Sequence, residues 1–168
     1  NDTGCFDTTS FNMLVNVKPE AAQSISDLIS CDDNLPNDGT ENFDLTTVEN
    51  DIIGTQNFTD VSISYHLSQS NADTAVAALL NPAVFSNTAN PQTIFVRLEN
   101  DVTGCFNTLT TFDIIVNEVP VINAPPPYDL CDDNSIDGFT EFDLESRNNE
   151  ITGGNAGVTT FYYATALE

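Results

Sequence analysis

The chain has 168 residues and a formal net charge of -23, with three Lys or Arg against 26 Asp or Glu. A surface this acidic repels phosphate backbones and offers no basic face to an anionic membrane, so neither nucleic acid nor direct membrane insertion is expected. Hydrophobic residues make up 40 %, enough for a core, and no apolar run reaches the ~20 residues that a membrane-spanning helix requires.

The opening Asn1-Asp2-Thr3-Gly4 does not read as a signal peptide, so an export signal is expected elsewhere. The polar residues are mostly Asn, Thr and Ser, which suit strands joined by Asn/Asp turns better than helices. Along the chain, Phe11, Met13, Val15 and Val17 alternate as a strand would. Phe43 and Leu45 are expected to share the face of another strand, with Asp44 opposite, and Val61, Ile63 and Tyr65 form one more. Asn71 to Leu80 is the one helix candidate, with an Asn or Ser cap and Pro82 as its stop. Thr93 to Glu99 puts Ile94, Val96 and Leu98 on one face and Phe95 on the other. After a turn at Asn100 to Gly104, Phe112, Ile114 and Val116 alternate again, and the two segments read as a hairpin.

The chain repeats itself at an offset of about 100 residues. Thr3-Gly4-Cys5-Phe6 returns as Thr103-Gly104-Cys105-Phe106, and Cys31-Asp32-Asp33-Asn34 returns as Cys131-Asp132-Asp133-Asn134. Phe11 to Pro19 matches Phe112 to Pro120, Phe43-Asp44-Leu45 matches Phe142-Asp143-Leu144, and Val61 to Tyr65 answers Val158 to Tyr162. This divides the chain into residues 1–19, the last strand of a preceding module; 20–120, a complete module; and 121–168, the first part of a following one. The linker Val121 to Pro127 holds three prolines and is semi-rigid. A period of ~100 residues is that of an independent sandwich domain and not of a solenoid unit. The expected fold is all-β: tandem Ig-like antiparallel β-sandwich modules with one short inserted helix.

Four cysteines at ordered spacings fit an oxidising exterior. The simplest pairing is Cys31 with Cys105, inside one module. The rival is Cys5 with Cys31 and Cys105 with Cys131, each pair 26 apart, which would staple successive modules. Spacing leaves both open. Asp32, Asn34, Asp38 and Asp44 recur as Asp132, Asn134, Asp137 and Asp143. Oxygen ligands spread along a turn suit Ca²⁺, and bound cations would relieve the self-repulsion of so acidic a chain. The competing explanation is an Asp/Asn turn that caps its own backbone. No organic cofactor is expected.

No catalytic constellation is evident. His66 is the single histidine, and no nucleophile is marked beside it. Gly153-Gly154 is a turn without the Lys and Ser/Thr of a phosphate loop. Tyr128, Tyr162 and Tyr163 are aromatics that stack on sugars when exposed, although packing is their commoner use. Asn57-Phe58-Thr59 has the form of an N-glycosylation sequon.

The run Cys-Asp-Asp-Asn, Asp-Gly, Phe-Asp-Leu, then Asn90 to Arg97, then Thr103-Gly104-Cys105-Phe106 and a Thr-rich strand ending at Val116-Asn117, resembles a repeat of very large surface proteins of flavobacteria and other Bacteroidetes. Those proteins leave the cell by type IX secretion, and the mobile gliding adhesin is the best-known relative. The resemblance covers nearly the whole chain. It implies an extracellular, cell-surface stalk with a role in adhesion or gliding, whose partners are neighbouring modules of the same chain. Rival roles are a polysaccharide-binding module and a non-catalytic spacer of a large secreted enzyme. Asp7-Thr8-Thr9 and Asp73-Thr74-Ala75 match the O-glycosylation signal of Bacteroidetes, which makes Thr8 and Thr74 candidate attachment sites.

Overall fold

The computed structural model describes residues 4–20, 22, 25–34, 36–56 and 60–164. The chain divides into two units, Asn1–Asn117 and Glu118–Glu168.

The first unit is strand-rich and sandwich-like. Strand β1 (Leu28–Cys31) is followed by β2 (Asn42–Phe43), a 3-10 turn at Leu45–Val48 and helix α1 (Glu49–Ile53). Then come β3 (Val61–His66), α2 (Gln69–Thr74), a 3-10 turn at Pro82–Val84 and β4 (Phe85–Ser86). Strands β5 (Gln92–Asn100), β6 (Phe106–Asn107) and β7 (Thr111–Asn117) complete it. The main sheet has the order β1-β7-β5-β3, with β6 also on β5; β2 and β4 form a second, two-stranded sheet.

The long central strand explains the order. Ile94, Val96 and Leu98 of β5 are buried on its inner face, as their alternation requires. They meet Phe112, Ile114 and Val116 of β7, Tyr65 of β3, and Phe43, Leu45, Val48 and Ile52 in one core. Asn100 to Gly104 turns β5 back on itself: Asn100 N–H donates to Cys105 O at 2.9 Å, and Gly104, at φ +69°, takes a conformation that favours glycine. The returning segment first pairs Asn107 with Leu98, then slips one residue before β7 pairs Thr111 with Phe95 and Ile114 with Gln92.

Three expectations are corrected. The sheet is mixed, not antiparallel, because β1 lies parallel to β7, with Leu28 beside Ile114 and Cys31 beside Asn117. The strand through Phe43 stops there. Asp44 caps the 3-10 turn, its carboxylate accepting from Thr46 N–H at 3.0 Å, and the chain winds on through α1 to Gly54. The inserted helix is therefore accompanied by others, and it is shorter than Asn71 to Leu80. It starts at a Ser68 cap and ends where Ala75 turns left-handed, at φ +54°. Beyond Ala75 the backbone serves β3 instead: Leu79 N–H donates to Tyr65 O at 2.9 Å, and Val76 O accepts from His66 Nδ1 at 3.0 Å. Pro82 begins a 3-10 turn.

The second unit repeats the front of the first in its local features. Asp143 caps a 3-10 turn (Leu144–Arg147) that continues into α3 (Asn148–Thr152), and Gly153 ends it. Tyr162 Oη donates to Leu144 O at 2.7 Å, as Tyr65 Oη donates to Leu45 O at 2.9 Å.

Candidate functional site

The strand registers place the cysteines. The chain arrives in the first unit at Pro19, whose carbonyl accepts from Asn107 Nδ2 at 3.0 Å. It runs through β1 to Cys31, which lies beside Asn117, where β7 leaves. The next N–H along, from Asp32, donates to Asn117 O at 2.8 Å. Cys31 therefore marks the downstream pole. Cys105 sits against Asn100, at the other end of β5, and marks the upstream pole where the chain arrives. Counting along the registers at ~3.3 Å per residue puts roughly 30 Å between the two cysteines, whereas a disulfide needs Cα atoms within about 7 Å. The expected staple between Cys31 and Cys105 is not formed, and Cys31, Cys105 and Cys131 carry thiols. Cys31 and Cys131 are exposed, and Cys105 is half-buried with its Sγ donating to Asn16 O at 3.9 Å. Asn16 was not among the residues singled out from sequence, although its match to Asn117 in the repeat was available.

The acidic loop beside Cys31 is organised by Asp32. Its carboxylate is buried and accepts backbone N–H groups from Asn34 at 3.3 Å, Asp38 at 2.7 Å and Gly39 at 2.7 Å. Gly39 is at φ +71°, which lets the loop fold back on the carboxylate. Asp38 in turn accepts from Thr40 N–H at 2.9 Å. Asp44 is the helix cap and not part of this cluster. In the second copy Asp132 accepts from Gly138 N–H at 2.9 Å and Asp137 from Phe139 N–H at 3.0 Å, while Asp143 again caps a helix. Asp133 accepts from the hydroxyl and the N–H of Ser135, in that order of importance, and these bonds hold its carboxyl below the ordinary value. Carboxylate oxygens of Asp132, Asp133 and Asp137 come within 4.8 Å of one another. Asn34 meets the Asp32 cluster through its backbone N–H, which donates to the Asp32 carboxylate.

Thr8 lies exposed in the segment before Pro19, its N–H bonded to the Asp7 carboxylate at 2.8 Å. Thr74 is exposed at the last residue of α2, and its hydroxyl donates to Ser70 O at 2.7 Å. The neighbouring Asp73 is held in place by Thr108 Oγ1 at 2.6 Å and Gln69 Nε2 at 2.8 Å, which keep its carboxyl below the usual range. Asn57-Phe58-Thr59 lies outside the described residues. His66 is fully buried, Nδ1 donating to Val76 O and Nε2 bonded to Ser64 Oγ at 3.0 Å, so its ring ties β3 to the loop after α2. Arg97 has a comparable role. Its guanidinium bonds Glu99 at 2.7 Å, Ala72 O at 3.0 Å and Asp73 O at 3.2 Å, and covers the Phe106 ring. Tyr128 packs edge-on against Phe142.

No solved structure and no curated protein matches the chain. One family model does, twice, over residues 27–120 and 127–168, and each match takes in one of the Cys-Asp-Asp-Asn loops. The two matches fall on the copies that the repeat and the shared caps define. The chain belongs to the Flavobacterium inter-domain disulphide bond domain family and carries that domain in tandem.

Proposed function

We propose that these tandem modules are a stalk segment of a large surface protein of flavobacteria, and that cystines between domains join them. The observation that carries this reading is the placement of the cysteines. Each pole of the complete module presents one, and they lie too far apart to satisfy each other. A fold that keeps its thiols at its two ends is suited to covalent linkage with neighbours. It gains nothing from them as an internal staple.

In this reading the modules are Ig-like domains, and the protein is exported by type IX secretion. The output is mechanical: attachment or gliding at the cell surface. No catalytic step is assigned to any residue. The partners are the neighbouring modules. A polysaccharide is the rival partner, with a cleft of about 470 Å³ in the second unit, lined by Asn148, Asn149, Thr152 and Thr160 among others, as its place.

Antibodies against residues 20–117 test the surface role. They should label intact, unpermeabilised cells, and exported protein should migrate differently with and without reductant. Label seen only after permeabilisation would remove the surface assignment. Glycan-array binding by the chain would move the function to the polysaccharide reading. For calcium, Asp132, Asp133 and Asp137 are the carboxylates that lie close enough together among the described residues to share an ion. Calorimetric titration of the chelated chain decides it, and no heat with no shift in melting temperature removes it.

A further inference from the structure

Residues 10–18 show what the upstream pole of a module faces. By the repeat, Phe11 to Pro19 is the preceding module's equivalent of Phe112 to Pro120, so Asn16 is the equivalent of Asn117. In the complete module Asn117 has one neighbour across the parallel ladder, and it is Cys31. The preceding module's counterpart of Cys31 therefore belongs beside Asn16, at the ~4.8 Å spacing of adjacent strands. Cys105 already touches that residue: its Sγ lies 3.9 Å from Asn16 O. A partner one strand away from Asn16 is thus brought to the neighbourhood of the Cys105 sulfur, and a cystine there needs the two Cα atoms about 4.4–6.8 Å apart.

We infer that the inter-domain bond joins Cys105 to the preceding module's counterpart of Cys31, and hence Cys31 to the following module's counterpart of Cys105. This rests on the proposed inter-domain linkage and specifies it. The rival scheme that the sequence left open, Cys5 with Cys31 and Cys105 with Cys131, is excluded by it. In each of its pairs both cysteines sit at the poles that face away from the shared junction, each a full module from it. The register that separates Cys31 from Cys105 within a module also separates each from these rival partners. Bond formation takes two protons and two electrons from the two thiols. A disulfide oxidant, such as oxidised glutathione or a disulfide oxidoreductase, accepts them and becomes two thiols.

Residues 20–117 contain every strand of the main sheet and their own core, so the module can be tested in tandem. Two copies of residues 20–120 are joined, and all cysteines are changed to Ser except one pair. The first protein keeps Cys31 of the first copy and Cys105 of the second. The control keeps Cys105 of the first copy and Cys31 of the second. Both are treated with oxidised glutathione, checked for retained cooperative melting, and mapped by mass spectrometry without reduction. The first should close an internal cystine at least roughly tenfold more than the control, which should carry two glutathione adducts, because only the first pair is held at high effective concentration.

A bond in the control alone, or equally in both, overturns this connectivity while the inter-domain linkage stands. A bond in neither overturns both. The 168-residue chain gives a second readout, since both rival pairings and the intradomain one can close within it. Oxidation should yield none of the three, and any one of them as the main product sinks the inference.

Discussion

Two segments with nearly the same sequence pattern behave in opposite ways. In β7, Phe112, Ile114 and Val116 are 3 %, 0 % and 4 % exposed. In the matching segment near the start of the chain, Phe11, Met13 and Val15 are 81 %, 86 % and 93 % exposed. The difference is the neighbours. β7 lies between β5 and β1, whereas the earlier segment, the last strand of a preceding module by the repeat, pairs with no strand among the described residues. Alternation therefore states which face a strand would bury, and a strand's partners decide whether it buries anything. Local devices need no such partners. The Asp caps, the glycine stops and the Tyr-to-Leu carbonyl bond appear in both copies.

Substitutions sharpen that contrast. Ile114→Ala should cost the first unit about 3–4 kcal/mol in denaturant unfolding, the range for truncating a fully buried aliphatic side chain. Met13→Ala, its repeat-mate, should leave the midpoint in place; equal effects would mean that residues 10–18 are buried in solution. Next in size is Asp32→Ala. It strips three backbone N–H groups of a buried acceptor and should cost about 2–3 kcal/mol, while Asp132→Ala on the exposed loop should not move the transition. Tyr65→Phe removes one buried hydrogen bond to Leu45 O and should cost about 1 kcal/mol, against no measurable change for Tyr162→Phe.

The smallest effect is a pH effect. Hydrogen bonds from Thr108 and Gln69 lower the Asp73 carboxyl below its unfolded value. A depressed acid stabilises the fold above its unfolded pKa, and that contribution is lost as pH falls through the folded one. Thr108→Val removes the larger cause. The fall in melting temperature between pH 7 and pH 3 should shrink slightly, and an unchanged fall would show that Asp73 is not coupled to folding.

The strands and their inner faces were legible because period-2 alternation at Ile94, Val96, Leu98 and at Phe112, Ile114, Val116 is a local record of burial. The turn and helix from Leu45 to Ile53 were missed, since Thr46, Thr47 and Val48 are β-branched and read as strand. The signals that outweighed them, an Asp cap and a Gly stop, were present at Asp44 and Gly54 and again at Asp143 and Gly153. The parallel pairing of β1 with β7 joins residues 86 positions apart, and no local pattern encodes it. For the same reason Cys31 with Cys105 was the simplest pairing from sequence, a staple for a module that folds alone, since only the ladder shows that β1 carries Cys31 away from Cys105. The acidic loops divide in the same way: Asp32 as a turn organiser is a local fact, and the exclusion of Asp44 from its cluster is a consequence of the helix it caps.

The parallel course of β1 beside β7 has a consequence for tension. With the inferred bonds in place, a pull follows one sulfur bridge, then the stretch from Cys105 to Cys131, 26 positions on, then the next bridge. In the complete module that stretch runs extended along β7 to Asn117, beside the parallel β1 that brings Cys31 to the same pole. The rest of each domain hangs beside the loaded thread as ballast. Such a tether would reach its limit almost before it lengthened, and only a reductant would let it give.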